Sequence, residues 1–226
     1  MFNHVELNLC PLERENIDGA RYYKIPDFEE YVKLVSITSI ISHINREFFD
    51  NWRKRVGVAE ADKITRQATS RGTDMHTLCE CHLMNRDLPP VQPLSEYLFK
   101  QAKPQLSQID NIHAIEGPLY SRYLGVAGTV DCIGEYNGEL AIIDFKTSKK
   151  PKKREWIDAY FVQCAAYACM LHEMKDIQVK KFVIIMSCEN GEVEVYEEYD
   201  KKRYIKLLDE YIRKYINDKL KEYATT

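Results

Sequence analysis

The sequence predicts an α/β protein in which a central mixed β-sheet is flanked by helices. Helix-like segments fill much of the first half of its 226 residues, while short segments rich in β-branched and aromatic residues fill the second half. A long apolar segment with helical character separates two predicted hairpins, which favours a sheet covered by helices. The chain has 45% hydrophobic and 30% charged residues, so disordered, collagen-like and low-complexity proteins are excluded.

The first elements are predicted to be helices. Ser36 and the residues after it can cap a helix whose apolar residues keep helical spacing from Ile40 to Trp52. Three further helices are predicted over residues 59–68, 74–85 and 94–106. The helix over 74–85 ends before Pro89-Pro90, because proline disfavours helical backbone at the residue before it. We therefore expect residues 1–110 to be a mainly helical part.

The hydrophobic period changes after residue 110. Strands are predicted over residues 111–120, 128–136, 139–147, 182–188 and 192–196. Asn137-Gly138 predicts a two-residue hairpin turn, and Asn190-Gly191 predicts a second hairpin of the same kind. A helix over 155–174 lies between the hairpins, and another covers the C-terminal end. The prediction is one domain, 1–226, with the sheet and its helix in 111–200 and a terminal helix in 201–226.

Charge and cysteine content narrow the class of protein. The net charge of −3 gives no overall attraction to a polyanion, but six basic residues and no acid lie between Lys146 and Arg154. The seven cysteines are scattered, which is typical of free thiols in a reducing compartment. No apolar run has the length of a membrane span, and the start resembles neither a secretion signal nor a transit peptide. We therefore expect a cytoplasmic location and no membrane partner.

The first hairpin places two aspartates opposite each other. If Asn137-Gly138 is the turn, Asp131 faces Asp144, and Lys146 points to the same face. Opposed like charges on a sheet cost about 0.2–1 kcal/mol, and more when they are buried. A divalent cation with oxygen ligands can satisfy both carboxylates, which one lysine cannot. An ordinary ion-pair cluster is the alternative, but the apolar neighbours of Asp144 indicate a central strand and favour a metal site.

These residues resemble the PD-(D/E)xK nuclease superfamily, in particular its RecB-like branch. Within it, the likeness is to the mitochondrial genome maintenance exonucleases and related phage exonucleases. Six blocks follow that family's order: 52–57, 71–76, 116–121, 127–132, 143–148 and the pair Gln163 and Tyr167. The sequence departs from the family at Leu34 to Ser39, where a proline is usual. The resemblance implies a restriction-endonuclease-like core with an N-terminal helical extension, and the host cytoplasm as location if the source is a phage.

The resemblance also implies the metal ligands and the catalytic residues. Asp131, Asp144 and the backbone carbonyl of Phe145 would hold Mg²⁺ or Mn²⁺, which carboxylate ligands suit. Such a cation polarises a phosphoryl group and lowers the pKa of a bound water. Lys146 would orient the attacking water or neutralise charge on the phosphate. Glu116 could bind a second metal, although a solvated strand glutamate is an equal alternative.

Three further residues belong to the predicted site. The resemblance places His76 at or beside the metal, and a core histidine bonded to Glu80 is the alternative. Gln163 and Tyr167 lie four apart and share one helix face, so both can reach the site. Cys79, Cys81 and His82 are poorly spaced for a zinc site on a helix, and no cysteine follows Cys188 to complete an iron–sulfur cluster. We expect neither zinc nor an iron–sulfur cluster.

Basic and aromatic residues on both sides of the site are predicted to bind DNA. They are Trp52, Arg53, Lys54, Arg55, Arg71, Lys149, Lys150, Lys152, Lys153 and Arg154. The expected activity is metal-dependent exonuclease cleavage of DNA at single-stranded ends, in contact with replication or recombination proteins. An endonuclease of the same superfamily and a catalytically dead nucleic-acid-binding module are the alternatives.

Overall fold

A computed structural model describes residues 1–28 and 30–224 of the chain. The strands of this part are β1 (Glu13–Ile17), β2 (Ala20–Pro26), β3 (Tyr31–Ser36), β4 (Ile109–Ser121), β5 (Val126–Tyr136), β6 (Glu139–Ser148), β7 (Lys181–Cys188) and β8 (Val193–Glu198). Its α-helices are α1 (Ile37–Ile44), α2 (Arg46–Val56), α3 (Val58–Leu83), α4 (Pro93–Leu106), α5 (Asp158–Lys175) and α6 (Lys201–Ala224). None of the helices in the described part is long and apolar enough to cross a membrane.

The strands form one mixed sheet of eight, in the order β1-β2-β3-β5-β6-β7-β8, with β4 also paired to β5. The pairs β3–β5 and β6–β7 are parallel and the others are antiparallel. The central mixed sheet that the sequence predicts is therefore confirmed.

Strand β5 shares one of its edges between two partners. Its first residues, Val126 and Ala127, pair with β3, and its residues from Cys132 to Tyr136 pair with β6. Between Ala127 and Cys132 this edge has no strand partner among the described residues, while β4 follows the other edge. We call this opening between β3 and β6 the fork.

Helices cover both faces of the sheet and enclose two apolar cores. On one face, α1, α5 and α6 pack with sheet residues such as Ile142 and Ile184. On the other face, α3 and α4 pack with Ile143, Phe145 and Ile185. Because successive side chains of a strand point to opposite faces, the apolar residues of β6 and β7 fill both cores.

The turn at Asn137-Gly138 has the predicted form. Asn137 and Gly138 both have positive φ, 53° and 78°, as a two-residue type I′ turn requires. The second hairpin differs from the prediction, because β7 ends at Cys188 and β8 begins at Val193, so the loop is longer than two residues.

The helical part also differs from the prediction in three places. Strands β1 to β3 precede the helices and join the sheet. The predicted helix that runs from Ile40 to Trp52 is divided at Asn45, whose backbone is not helical. The two helices predicted over 59–68 and 74–85 form the single helix α3, in which Gly72 is helical. The roughly 1 kcal/mol helical cost of a glycine is small beside the burial of Met75 and Leu78 on the same helix.

Candidate active site

Three carboxylates lie in a row across neighbouring strands at the fork. In the β4–β5 ladder, Ile115 pairs with Cys132 and Gly117 pairs with Val130. The residues between these two pairs, Glu116 and Asp131, therefore lie opposite each other. In the β5–β6 ladder, the last pair is Cys132 with Ile143, one residue short of Asp131 and Asp144. The ladder has the register that the hairpin turn predicts, but it stops before the two aspartates form a pair.

The backbone is irregular on both sides of Asp131. Glu116 has a φ of 47°, an uncommon left-handed conformation for a residue other than glycine within a strand. Beside the fork, the Phe145 N–H donates to Asp131 Oδ2 over 2.9 Å. The Asp131 carboxylate thus accepts a hydrogen bond from a backbone N–H at the point where the strand ladder stops. This hydrogen bond fixes the position of the Asp131 side chain.

His76 lies on α3, which packs on the opposite face of the sheet from α5, and its side chain reaches this row of carboxylates. Its Nδ1 lies 3.5 Å from Glu116 Oε1 and 3.6 Å from Asp131 Oδ1. One donor atom from each of these three residues lies within 4.8 Å of the others, as in a metal site. Burial on its own would lower the pKa of His76, but the Asp131 charge and the Glu116 hydrogen bond raise it to about 9. The ring therefore carries a proton between the two carboxylates.

Asp144 lies beneath the cavity surface and is held by two side chains. Lys146 forms an ion pair with its Oδ2, and Gln163 Nε2 donates to its Oδ1 over 3.0 Å. Burial raises the pKa of Asp144, and the Lys146 charge opposes that shift. Burial would lower the pKa of Lys146, but the charges of Asp144 and Asp131 hold it above its usual value, so the lysine is an ammonium.

Tyr167 supports this arrangement from one helical turn beyond Gln163. Its ring is buried, and its hydroxyl lies 3.3 Å from Gln163 Nε2. Gly128 of β5 makes room for the ring, because a Cβ at that position would come within 2.7 Å of Tyr167 Cε1. A larger residue at position 128 would displace the tyrosine.

The site residues surround a cavity of about 260 Å³. Helix α3 contributes His76, α5 contributes Gln163 and Tyr167, and the strands contribute Glu116, Asp131 and Lys146. Side chains from both helical layers can line one cavity because the fork opens the sheet at that point.

Comparison with known proteins identifies the family. The profile of the PD-(D/E)XK nuclease superfamily matches residues 88–225, more than half of the chain. The chain belongs to this superfamily.

Mitochondrial genome maintenance exonucleases 1 of vertebrates are among the relatives of this superfamily member. The chain is 33% identical to the human protein over 91 residues, which are 38% of this chain and 26% of that protein. It is 25% identical to the Xenopus tropicalis protein over 197 residues, 80% of this chain and 56% of that protein. The chain thus spans about half or less of the length of these relatives. The predicted resemblance to the superfamily and to these exonucleases is confirmed.

The donor set of this PD-(D/E)XK site fits a hard divalent cation. Carboxylates supply most of the available donor atoms and His76 supplies one nitrogen. Asp144 Oδ2 is buried, has no hydrogen-bond partner among the described residues and forms an ion pair with Lys146. The structure groups Glu116 with His76 and Asp131 in a single cluster, while Asp144 lies beside that cluster in its own ion pair.

The predicted DNA-binding residues differ in their surroundings in the structure. Lys54, Arg55, Lys149, Lys150 and Lys153 are exposed. Arg71 is buried, donates to Thr147 Oγ1 and pairs with Glu189. Arg154 pairs with Asp158 and Glu198 and packs over the Phe161 ring. These two arginines stabilise the fold around the site, which the sequence does not reveal.

The remaining members of that set have partners of their own. Lys152 donates to the Tyr160 hydroxyl over 2.6 Å, and Arg53 pairs with Asp62 at 2.7 Å. Trp52 lines an apolar groove between α2 and α3 together with Phe48 and Phe49. DNA contact by these residues stays a prediction.

Sequence reasoning missed two basic residues of the cavity wall. Arg14 on β1 and Arg21 on β2 line the same cavity as His76 and Lys146. Asp18-Gly19 is a signal that would have predicted the hairpin of these two strands but not its place beside the site, and both turn residues have positive φ. Only the pairing of β3 with β5 brings that hairpin to the fork.

Proposed function

We propose that this protein is a metal-dependent DNA nuclease that removes nucleotides from single-stranded ends. The observation that carries the proposal is the row of carboxylates from three neighbouring strands, with His76 and Lys146, around one cavity. Membership of a nuclease superfamily and relatives named as exonucleases support it.

The cation-binding residues in this proposal are His76, Glu116, Asp131 and Asp144, with Mg²⁺ or Mn²⁺ as the cation. When bound, the cation supplies Lewis-acid polarisation of the phosphate and lowers the pKa of an attacking water. His76 would hold the cation through a neutral imidazole nitrogen, without the ring proton that it carries in the structure. Phe145 would hold the cation through its carbonyl, in addition to donating the N–H that fixes Asp131.

Lys146 has two tasks in the proposed reaction. In the structure its ammonium neutralises buried Asp144. If a cation were held at Asp144, the Lys146 ammonium would be available to stabilise negative charge on the phosphate or to orient the attacking water. Gln163 would keep the Asp144 carboxylate in place, because its donation to Oδ1 does not involve the oxygen that Lys146 holds.

The proposed substrate is an unpaired strand end that reaches the metal-binding residues through the cavity of about 260 Å³. An endonuclease with the same site, and a binding module without activity, are the competing functions.

A cleavage assay on two forms of one DNA strand tests the proposal. The substrates are an end-labelled linear single strand and the same strand circularised, each with Mg²⁺, with Mn²⁺ and with chelator. We expect metal-dependent loss of the linear strand and an intact circle. Cleavage of the circle would move the protein to the endonuclease class, and a wild-type protein that cleaves neither form would contradict the proposed activity.

Two variants complete this assay. Asp131→Asn removes a proposed ligand with almost no change in shape, and we expect it to abolish cleavage. Asp209→Asn is the matched control, because Asp209 is an exposed aspartate of α6 that pairs with Arg213. Equal rates for the two variants would contradict the assigned site.

A further inference from the structure

The part of the sheet formed by β1, β2 and β3 carries different charges on its two faces. Glu13 and Glu15 lie on the outer face, where they pair with Lys24 and Lys33 at 2.8 and 2.7 Å. Every basic residue on that face of the strands thus has a carboxylate partner. The other face is turned to the catalytic cavity.

Two arginines lie on the cavity face. Arg14 pairs across the ladder with Tyr23, and Arg21 is two residues from Tyr23, so all three side chains share one face. Ser36 shares it too, because it is two residues from Leu34, the partner of Tyr23 in β3. Arg14, Arg21, Tyr23 and Ser36 all line the cavity.

These arginines differ from the lysines on the outer face in having no counter-charge. Within residues 1–28 and 30–224, no carboxylate lies within ion-pair distance of either guanidinium. Both residues are exposed. Of the other cations at this cavity, Lys146 is engaged by Asp144, and His76 lies between two carboxylates. The free positive charge of the cavity therefore belongs to Arg14 and Arg21.

Tyr23 fixes the position of this wall relative to the carboxylates. It is buried, and its hydroxyl lies 3.0 Å from Thr129 Oγ1, two residues before Asp131 on β5. Pairing of Val35 and Ser36 with Val126 and Ala127 holds β3 to the same strand. The wall is thus anchored beside the metal-binding residues rather than attached by a loop.

We infer that Arg14 and Arg21 bind the phosphate groups of the substrate strand and position it against the metal-binding residues. This inference rests on the proposed function. A guanidinium forms paired hydrogen bonds with phosphate oxygens, and it offsets the repulsion between the acidic cluster and a polyanionic strand. The first turn of α1 contributes to the same wall. The side chain of its N-cap residue, Ser36, makes no capping hydrogen bond to the helix, and Thr38 also lines the cavity.

Binding of a fluorescent oligothymidylate in chelator tests this inference without cleavage. We expect Arg14→Ala and Arg21→Ala each to weaken binding about tenfold, the size of a charge-assisted hydrogen bond. Each change should also reduce the slope of log affinity against log salt by about 0.7, the value for one phosphate contact on a single strand. Arg21→Lys should keep the slope of the wild-type protein, because it keeps the charge.

Lys24→Ala and Lys33→Ala are the matched controls. They remove the same charge from β2 and β3 but on the outer face, so we expect less than about a twofold loss of affinity. An unchanged salt slope in the Arg14→Ala, Arg21→Ala double variant, or equal losses in the lysine variants, would overturn the inference. Thermal unfolding of each variant establishes that it is folded.

A cleavage arm separates this inference from the proposed function. In Mn²⁺, the arginine variants should raise KM by more than they lower kcat, because they bind the strand and do not touch the metal. If the wild-type protein cleaves no DNA, the proposed function fails, and the chelator arm still decides the role of the arginines. If the wild type cleaves and the double variant has the wild-type KM, only the arginine inference fails.

Discussion

The pair formed by Asp144 and Lys146 has a different character from a surface ion pair. Asp144 is 1% exposed, and the ammonium beside it is the charge that allows the carboxylate to remain ionised in the interior. Removal of either partner leaves an uncompensated buried charge, so each change affects folding stability as well as catalysis. The two effects must be measured separately.

We predict that Asp144→Asn and Lys146→Ala lower the cleavage rate by about a thousandfold or more, which corresponds to about 4 kcal/mol of transition-state stabilisation. Affinity for DNA should remain largely intact, because other basic residues supply it. Single-turnover cleavage and binding in chelator, measured on the same folded samples, check both parts. Cleavage at the wild-type rate by either variant would show that the catalytic assignment is wrong.

At the residue scale, the sequence predicts side chains that one short turn brings together. Asp131, Asp144 and Lys146 follow from the Asn137-Gly138 turn, because a two-residue hairpin fixes the register on both strands. Arg14 and Arg21 do not follow from any local rule. Their approach to the site depends on the parallel pairing of β3 with β5, which joins segments about 90 residues apart in the sequence.

At the element scale, the packing of α5 against β5 determines where Gln163 and Tyr167 lie. The close contact is at Gly128, where a Cβ would meet Tyr167 Cε1 at 2.7 Å. The tyrosine is buried, and Ile37 of α1 also approaches position 128, so the ring has little room to move. The position of Gln163 against Asp144 therefore depends on a glycine in a neighbouring strand.

We predict that Gly128→Ala destabilises the protein by about 1–3 kcal/mol through overpacking, and lowers cleavage by displacing Tyr167 and Gln163. Gly72→Ala is the control of the same chemistry, because Gly72 is helical and has open space at its Cβ position. It should stabilise the protein by up to about 1 kcal/mol. Denaturant unfolding and cleavage assays compare the two; equal stability of the two variants would contradict this packing argument.

Element boundaries show what sequence periodicity can and cannot give. The apolar spacing of α4 and α6 predicts those helices, because each buries one side against the sheet or a neighbouring helix. Helix α5 is predicted from its length and apolar content instead, because it is buried at every residue from Phe161 to Tyr167 and has no polar face there. Strands β1 and β2 have charged residues on both faces, so they lack the apolar alternation that marks a half-buried strand. The break at Asn45 and the continuity of α3 through Gly72 are decided by tertiary packing, which overrides local propensity.

At the scale of the whole molecule, the two helical layers isolate most of the thiols. Cys79, Cys132, Cys164 and Cys188 are buried, and Cys10 is exposed. Burial raises the pKa of the Cys79, Cys132 and Cys164 thiols above the ordinary value. The thiolate is the reactive form of cysteine. These thiols are buried, so a reagent cannot reach them, and their raised pKa values keep them protonated.

We predict that the folded protein reacts rapidly with a thiol reagent at Cys10, more slowly at the partly exposed Cys81 and Cys169, and not at the four buried cysteines. An increase in pH within the range where the protein stays folded should not expose the buried set, because their pKa values are raised. Mass spectrometry after native and denaturing labelling counts the modified residues. Native modification of Cys132 or Cys164 would contradict the described packing of the sheet.

The fork has a consequence for how the molecule acquires activity. Its borders are β3, β5 and β6, and the residues around it come from both helical layers, so no hairpin or helical layer contains a complete site. Pairing of distant segments is slow in folding, because loop-closure entropy must be overcome before contacts form. Helix content and even the Asn137-Gly138 hairpin can therefore form in a chain that is still inert, because the complete cavity requires the long-range strand pairs as well.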